Sequence, residues 1–227
     1  MLSMANRAYA SIWIRNFSEE TLVEQWRAFL GTVPFSKERR GFTELVIRAV
    51  DAAESPIFEQ DLRSGEYDAQ VLADLAREHA HSDCSYETKA FWDLWTWDKE
   101  GGRWMQTAQP LGVVCYGNEF DEGIWKEQGH FLIEAGFEHF FTGHARLLGF
   151  RRGPTEAAKN PEEANFVAVM SQPESLQAYQ EKTQENIRKL YEWMRQIEAA
   201  LPVERYQLWS EGEENFEARM EEILASR

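Results

Sequence analysis

The stretch Phe91-Trp92-Asp93-Leu94-Trp95-Thr96-Trp97-Asp98-Lys99-Glu100-Gly101-Gly102-Arg103-Trp104-Met105-Gln106-Thr107-Ala108-Gln109 sets the architecture of the chain. In an extended strand Phe91, Asp93, Trp95 and Trp97 share one face, and Trp92, Leu94, Thr96 and Asp98 the other. Lys99-Glu100-Gly101-Gly102 has the composition of a hairpin loop, and residues 103–109 read as the return strand. Pro110 is expected to interrupt the ladder. Leu111-Gly112-Val113-Val114-Cys115-Tyr116 then reads as a more buried strand, ended by Gly117-Asn118. An antiparallel, Trp-rich centre follows.

On the N-terminal side, residues 8–15 form a strand with Ala10, Ile12 and Ile14 on its apolar face and Tyr9, Ser11, Trp13 and Arg15 on the other. Ser18 caps a helix with Glu19 and Glu20 in its first turn, and Leu22, Val23, Trp26, Phe29 and Leu30 form its apolar stripe. Gly31 ends it. Residues 42–50 read as a second strand, giving a β-α-β opening. Residues 51–65 lack periodicity, and residues 68–79 look helical, ending in His79 and His81.

Residues 119–129 are acidic and turn-like. A strand at 130–135, a break at Gly136, an extended piece at 137–141 and a short helix from Gly143 to Leu148 are expected next. Residues 151–165 read as a linker. Phe166-Val167-Ala168-Val169-Met170 reads as a strand, followed by a Ser171/Glu174 capping box with Pro173 in the first turn. The helix it opens runs to about Ala200. A strand at 203–209 and a helix at 216–225 close the chain.

The expected fold is α+β: a mixed, largely antiparallel sheet of about eight strands, two longer helices on one side, and β-α-β units at both ends. Residues 1–150 and 166–227 form its two parts, which share one sheet or core.

With 227 residues the chain is long enough to bury a core without a metal or disulfide. Its net charge of −15 leaves no Lys/Arg surplus to displace counterions from nucleic-acid phosphates, and disfavours an anionic membrane surface. Cys84 and Cys115 are too few for a disulfide framework and sit in strand-like contexts, as buried reduced thiols would. Residues 1–7 lack the apolar core of a signal peptide, and no apolar run approaches the roughly 20 residues that span a bilayer. A cytoplasmic protein is expected.

Residues 129–144 hold His130, His139 and His144 with Glu134 and Glu138. His130 and Glu134 share a strand face but stand about 13 Å apart, at about 3.3 Å per residue. A turn at Thr142-Gly143 would bring His139 and His144 together, with Glu134 or Glu138 as a carboxylate ligand, a set suited to zinc. No HExxH spacing supports it. Cys115 with His139 as base lacks any group to lower the thiol pKa, and GxSxG, GxGxxG and P-loop motifs are missing. Asp93, Trp95, Trp97 and Trp104 make a candidate aromatic binding face, although cross-strand aromatic pairs also stabilise sheets by about 0.2–1 kcal/mol each. Glu211, Glu213, Glu214, Glu217, Glu221 and Glu222 outnumber Arg219 and Arg227 at the C-terminal end, a face for a basic partner or for solvent.

The function these features favour is a non-catalytic acidic protein, without cofactor, that binds a protein partner or itself through the Trp-rich sheet or the C-terminal helix. A metal-assisted hydrolase on the His/Glu set is the alternative, and a small-ligand binder with a concave pocket beside Trp95 or Trp97 a third.

Overall fold

The computed structural model describes residues 6–98, 101–143 and 161–226. Strands β1 (Arg7–Ile14), β2 (Glu44–Ala49), β3 (Phe58–Asp61), β4 (Cys84–Asp98), β5 (Arg103–Tyr116), β6 (Phe131–Phe137) and β7 (Val203–Ser210) form one sheet in the order β3-β2-β4-β5-β6-β1-β7. Every described pairing is antiparallel, so the sheet has seven strands rather than eight and is not mixed. The helices are α1 (Glu19–Leu30), α2 (Ala69–Ala76), α3 (Trp125–Gln128), α4 (His139–Thr142), α5 (Pro161–Met170), α6 (Pro173–Ala200) and α7 (Phe216–Ala225).

The core lies between one sheet face and α1, α2, α6 and α7. Ala10, Ile12, Leu45, Ile47, Tyr86, Trp92, Val113, Phe131 and Ile133 meet Leu22, Trp26, Phe29, Leu72, Trp193 and Phe216 there. Aromatic rings fill much of it: Phe29 stacks on Phe131 with centroids 4.5 Å apart, and Trp92 meets Trp193 at 5.7 Å. Strand β7 and helices α6 and α7 thus share a sheet and a core with the N-terminal part. Ser18 is the N-cap of α1, its N–H donating to Thr21 Oγ1 at 3.0 Å, and Gly31 is its C-cap. β1, α1 and β2 form a β-α-β unit that spans β4, β5 and β6.

Five local expectations need correction. Residues 166–170 are the end of α5, so the closing part is α-α-β-α rather than β-α-β. A five-residue apolar run has no period of its own, and Pro161-Glu162-Glu163 before it supplies a helix start. The capping box does not form: Gln172 is the N-cap of α6, while Ser171 Oγ donates back to Val167 O at 2.6 Å. Residues 139–142 form the turn of helix α4, not an extended piece. Finally, β5 runs unbroken through Pro110, which faces Phe91 of β4. The proline nitrogen points toward the β6 side, but β6 pairs only with residues 112–115, so no ladder hydrogen bond is lost. Within residues 51–65, read as irregular, lies β3. The short helix expected at 143–148, and most of the linker at 151–165, lie outside the described residues.

Beyond β2, strand β4 has a free edge at residues 91–95, and α6 runs along it. Asn186 Oδ1 accepts from Trp95 N at 2.8 Å, and its amide donates to Trp95 O and Phe140 O, both at 3.1 Å. Lys189 Nζ donates to Asp93 O at 2.6 Å, and Ser36 N to Phe91 O at 2.6 Å. Helix side chains and one loop amide therefore take the place of a neighbouring strand.

Candidate functional site

The sheet face that no described helix covers, the helix-free face, comes from the alternation of β1: its odd residues Tyr9, Ser11 and Trp13 point there, with Trp209, Gln207 and Arg205 opposite them on β7. Tyr9 and Trp209 stack at 4.4 Å, Trp209 Nε1 donates to Ser11 Oγ at 3.0 Å, and the Arg205 guanidinium lies 3.8 Å over the Trp13 ring. Leu132 of β6 and Val114 of β5, paired with each other, continue the face half-exposed. Charged pairs surround this centre: Arg7–Glu134 at 2.9 Å, Lys89–Glu44 at 2.9 Å, and Arg48–Glu87. Such exposed pairs contribute about 0–1 kcal/mol each and serve more to set the polarity of the rim. Tyr9 Oη donates to Glu211 Oε1 at 3.0 Å; burial, then this bond and the Glu211 charge, push its phenol up to about 12. The result is an apolar centre with a polar rim whose charges are mostly paired, Arg205 excepted among the described residues.

The aromatic face inferred from sequence does form by register, since Trp97 lies opposite Trp104 with rings 5.5 Å apart. It is not a free platform, however. Lys182 of α6 sits 3.9 Å over the Trp95 ring, Trp95 Nε1 donates to Glu185, and Tyr179 meets Trp104 at 5.4 Å. Asp93 is buried: burial would raise its carboxyl, but hydrogen bonds from Ser36 and the Lys37 N–H, with the Lys189 charge, hold it below its ordinary value. Burial in turn lowers Lys189. Asp93 and Trp95 serve to dock α6.

The His/Glu set is dispersed. His130, at the start of β6, is 4% exposed, stacked at 4.4 Å between Phe17 and Trp125. Its Nδ1 accepts from Ile14 N at 2.9 Å, and desolvation lowers its pKa to about 4. Glu134, four residues on, pairs with Arg7 on the helix-free face. Glu138 Oε2 accepts from Gly212 N at 2.9 Å, tying the start of α4 to the turn after β7. His139 opens α4 beside Phe137 and Phe140. His144 lies outside the described residues. Among the described residues no three His, Cys, Asp or Glu side chains gather as metal ligands would. Cys84 and Cys115 are free and buried, and desolvation raises both thiols.

A cavity of about 220 Å³ opens between α4, α6 and α7, lined by Thr142, Tyr179, Thr183, Arg219, Glu222 and Ile223 among others. Its charges are already paired, Arg219 with Glu222 at 3.0 Å. No helix among the described residues is long and apolar enough to cross a membrane.

Sequence alternation had separated Tyr9 and Trp13 from the apolar face of β1, which was the available signal for the helix-free patch. Its other members, Val114, Leu132 and Trp209, join it only through strand order. Comparison with known protein families, with curated proteins and with solved structures gives no match.

Proposed function

We propose that the chain is a non-catalytic, acidic cytoplasmic protein that works by protein–protein contact through the helix-free face of its sheet. The observation that carries this reading is the half-exposed cluster of Tyr9, Val114, Leu132 and Trp209, ringed by charges that are already paired with each other. An apolar centre inside a polar rim, with aromatic anchors, is the anatomy of a contact surface. Because most rim charges neutralise one another and the chain carries a net charge of −15, the patch suits an apolar-centred protein surface better than a polyanion.

The test is a pull-down from native extract with the wild-type protein and with Leu132→Lys. The substitution places an unpaired charge at the centre of the face, and a side chain that is already half-exposed tolerates it. Capture that is lost in Leu132→Lys but kept in a control on the opposite layer, Glu192→Lys, supports the reading. An inert protein, or capture indifferent to Leu132, would remove it.

A further inference from the structure

We infer that strand β7 pairs antiparallel with β7 of a second copy of this chain about a two-fold axis at Leu208, an inference that goes beyond the face contact proposed above. The sheet treats its free edges unequally. The outer strand β3 has four residues, two of them acidic (Glu59 and Asp61), which resists strand addition. The free stretch of β4 is capped by Ser36, Asn186 and Lys189. The other outer strand, β7, has eight residues and receives neither treatment. Arg205, Gln207 and Trp209 turn their backbone groups inward to β1, in phase with the Glu211 N–H that donates to Arg7 O. Tyr206, Leu208 and Ser210 therefore turn theirs outward, where no described group meets them.

The register follows from the strand itself. An irregularity opposite Trp13 and Ile14, where Glu204 is the extra residue, interrupts the ladder on one side. The regular part runs from Arg205 to Ser210 and on to the Glu211 bond, and Leu208 is its midpoint. A two-fold axis there sets Arg205 opposite Glu211 of the second copy, twice by symmetry, on the helix-free face. Gln207 then faces Trp209, and Tyr206 faces Ser210. Arg205 is exposed and has no acidic partner among the described residues, although the chain carries fifteen more negative than positive charges. Directly opposed residues on paired strands come within about 5 Å, close enough for ion pairing. Shifting the axis to Arg205 would oppose two arginines instead. Pairing about Leu208 also places the two Tyr9/Trp209 patches side by side on a continuous face.

The net charge of −15 per chain opposes association, so the test is done at about 0.15 M salt, where the screening length is about 8 Å. Light scattering after gel filtration is compared for wild type, Arg205→Glu, Glu211→Arg and the double reversal. Expected is a dimer for wild type, a dissociation constant raised about tenfold or more in each single variant, and recovery in the double variant. Glu211→Arg also removes the bonds from Arg7 N and Tyr9 Oη; Arg205→Glu leaves both intact and serves as the cleaner arm. A wild type that is monomeric at about 100 μM overturns the inference, as does a dimer indifferent to both reversals. A monomer whose Leu208 amide gains exchange protection only when another protein binds overturns self-pairing and assigns the edge to an extended segment of that protein. Loss of the dimer leaves capture through Leu132 unaffected, so the two proposals fail separately.

Discussion

Acidification should unfold this protein partly through His130. The imidazole is sandwiched between Phe17 and Trp125 and accepts the Ile14 N–H on Nδ1, so the folded state holds it neutral with the proton on Nε2. Its pKa falls from 6.5 to about 4 because burial disfavours the cation. The unfolded chain takes up the proton first, so stability is fully present above pH 6.5 and is lost as the pH falls toward 4. At about 1.36 kcal/mol for each pH unit, the complete loss is about 3 kcal/mol, and at pH 5 about 2 kcal/mol. That is a large fraction of the 5–15 kcal/mol typical of a domain. Urea unfolding at pH 7.5, 6 and 5, for wild type and His130→Asn, isolates the contribution. The asparagine retains an acceptor for Ile14 but does not titrate. The gap between the two proteins should narrow by about 2 kcal/mol between pH 7.5 and 5. A gap independent of pH, or an NMR titration of His130 in the folded protein near 6.5, would refute the reasoning.

Asn186→Ala should cost about 2–3 kcal/mol in urea unfolding, because it strands the Trp95 N–H and carbonyl on the β4 edge and the Phe140 carbonyl of α4; a loss under 1 kcal/mol would mean that water replaces the amide freely. Gly129→Ala should cost about 2 kcal/mol or more, since φ is +85° and an added Cβ would lie 2.5 Å from Ile12 N; a variant with unchanged melting temperature would show that the β1–α3 approach is looser than described. Cys84 and Cys115 should resist a thiol reagent at pH 8 in the folded protein and react together once urea unfolds it; fast labelling of either thiol in the native state would contradict their burial.

Much of the architecture is local in origin and was readable. The Ser18 cap, the stripe from Leu22 to Leu30 and the helix expected within 68–79 all rest on neighbours within a few positions. Where two local signals competed, the sequence misled. The run 166–170 has strand propensity but no room to show a period, and the helix start at Pro161 prevailed. Pro110 breaks a strand only if its missing N–H faces a partner, and sheet order decided that it does not.

Of the candidate sites, the Trp-rich face was legible as a pattern but not as a role: its alternation is the same whether solvent or α6 covers it. His130 was legible as a residue that could bind metal or hydrogen-bond inside the sheet, and only the Ile14 amide and two flanking rings decide between them.

By itself the sequence determined the α+β class, the pairing of β4 with β5, the span of α1 from Ser18 to Gly31, the acidic charge and the inward face of β1, because periodicity and capping act over a few residues. Only the tertiary structure decided the strand order, the packing of Trp95 against α6, the scattering of the His/Glu set and which strand was left with a free edge. Those depend on contacts between residues as distant as Tyr9 and Trp209, and the spacing of residues along the chain carries no record of which distant partner will be met.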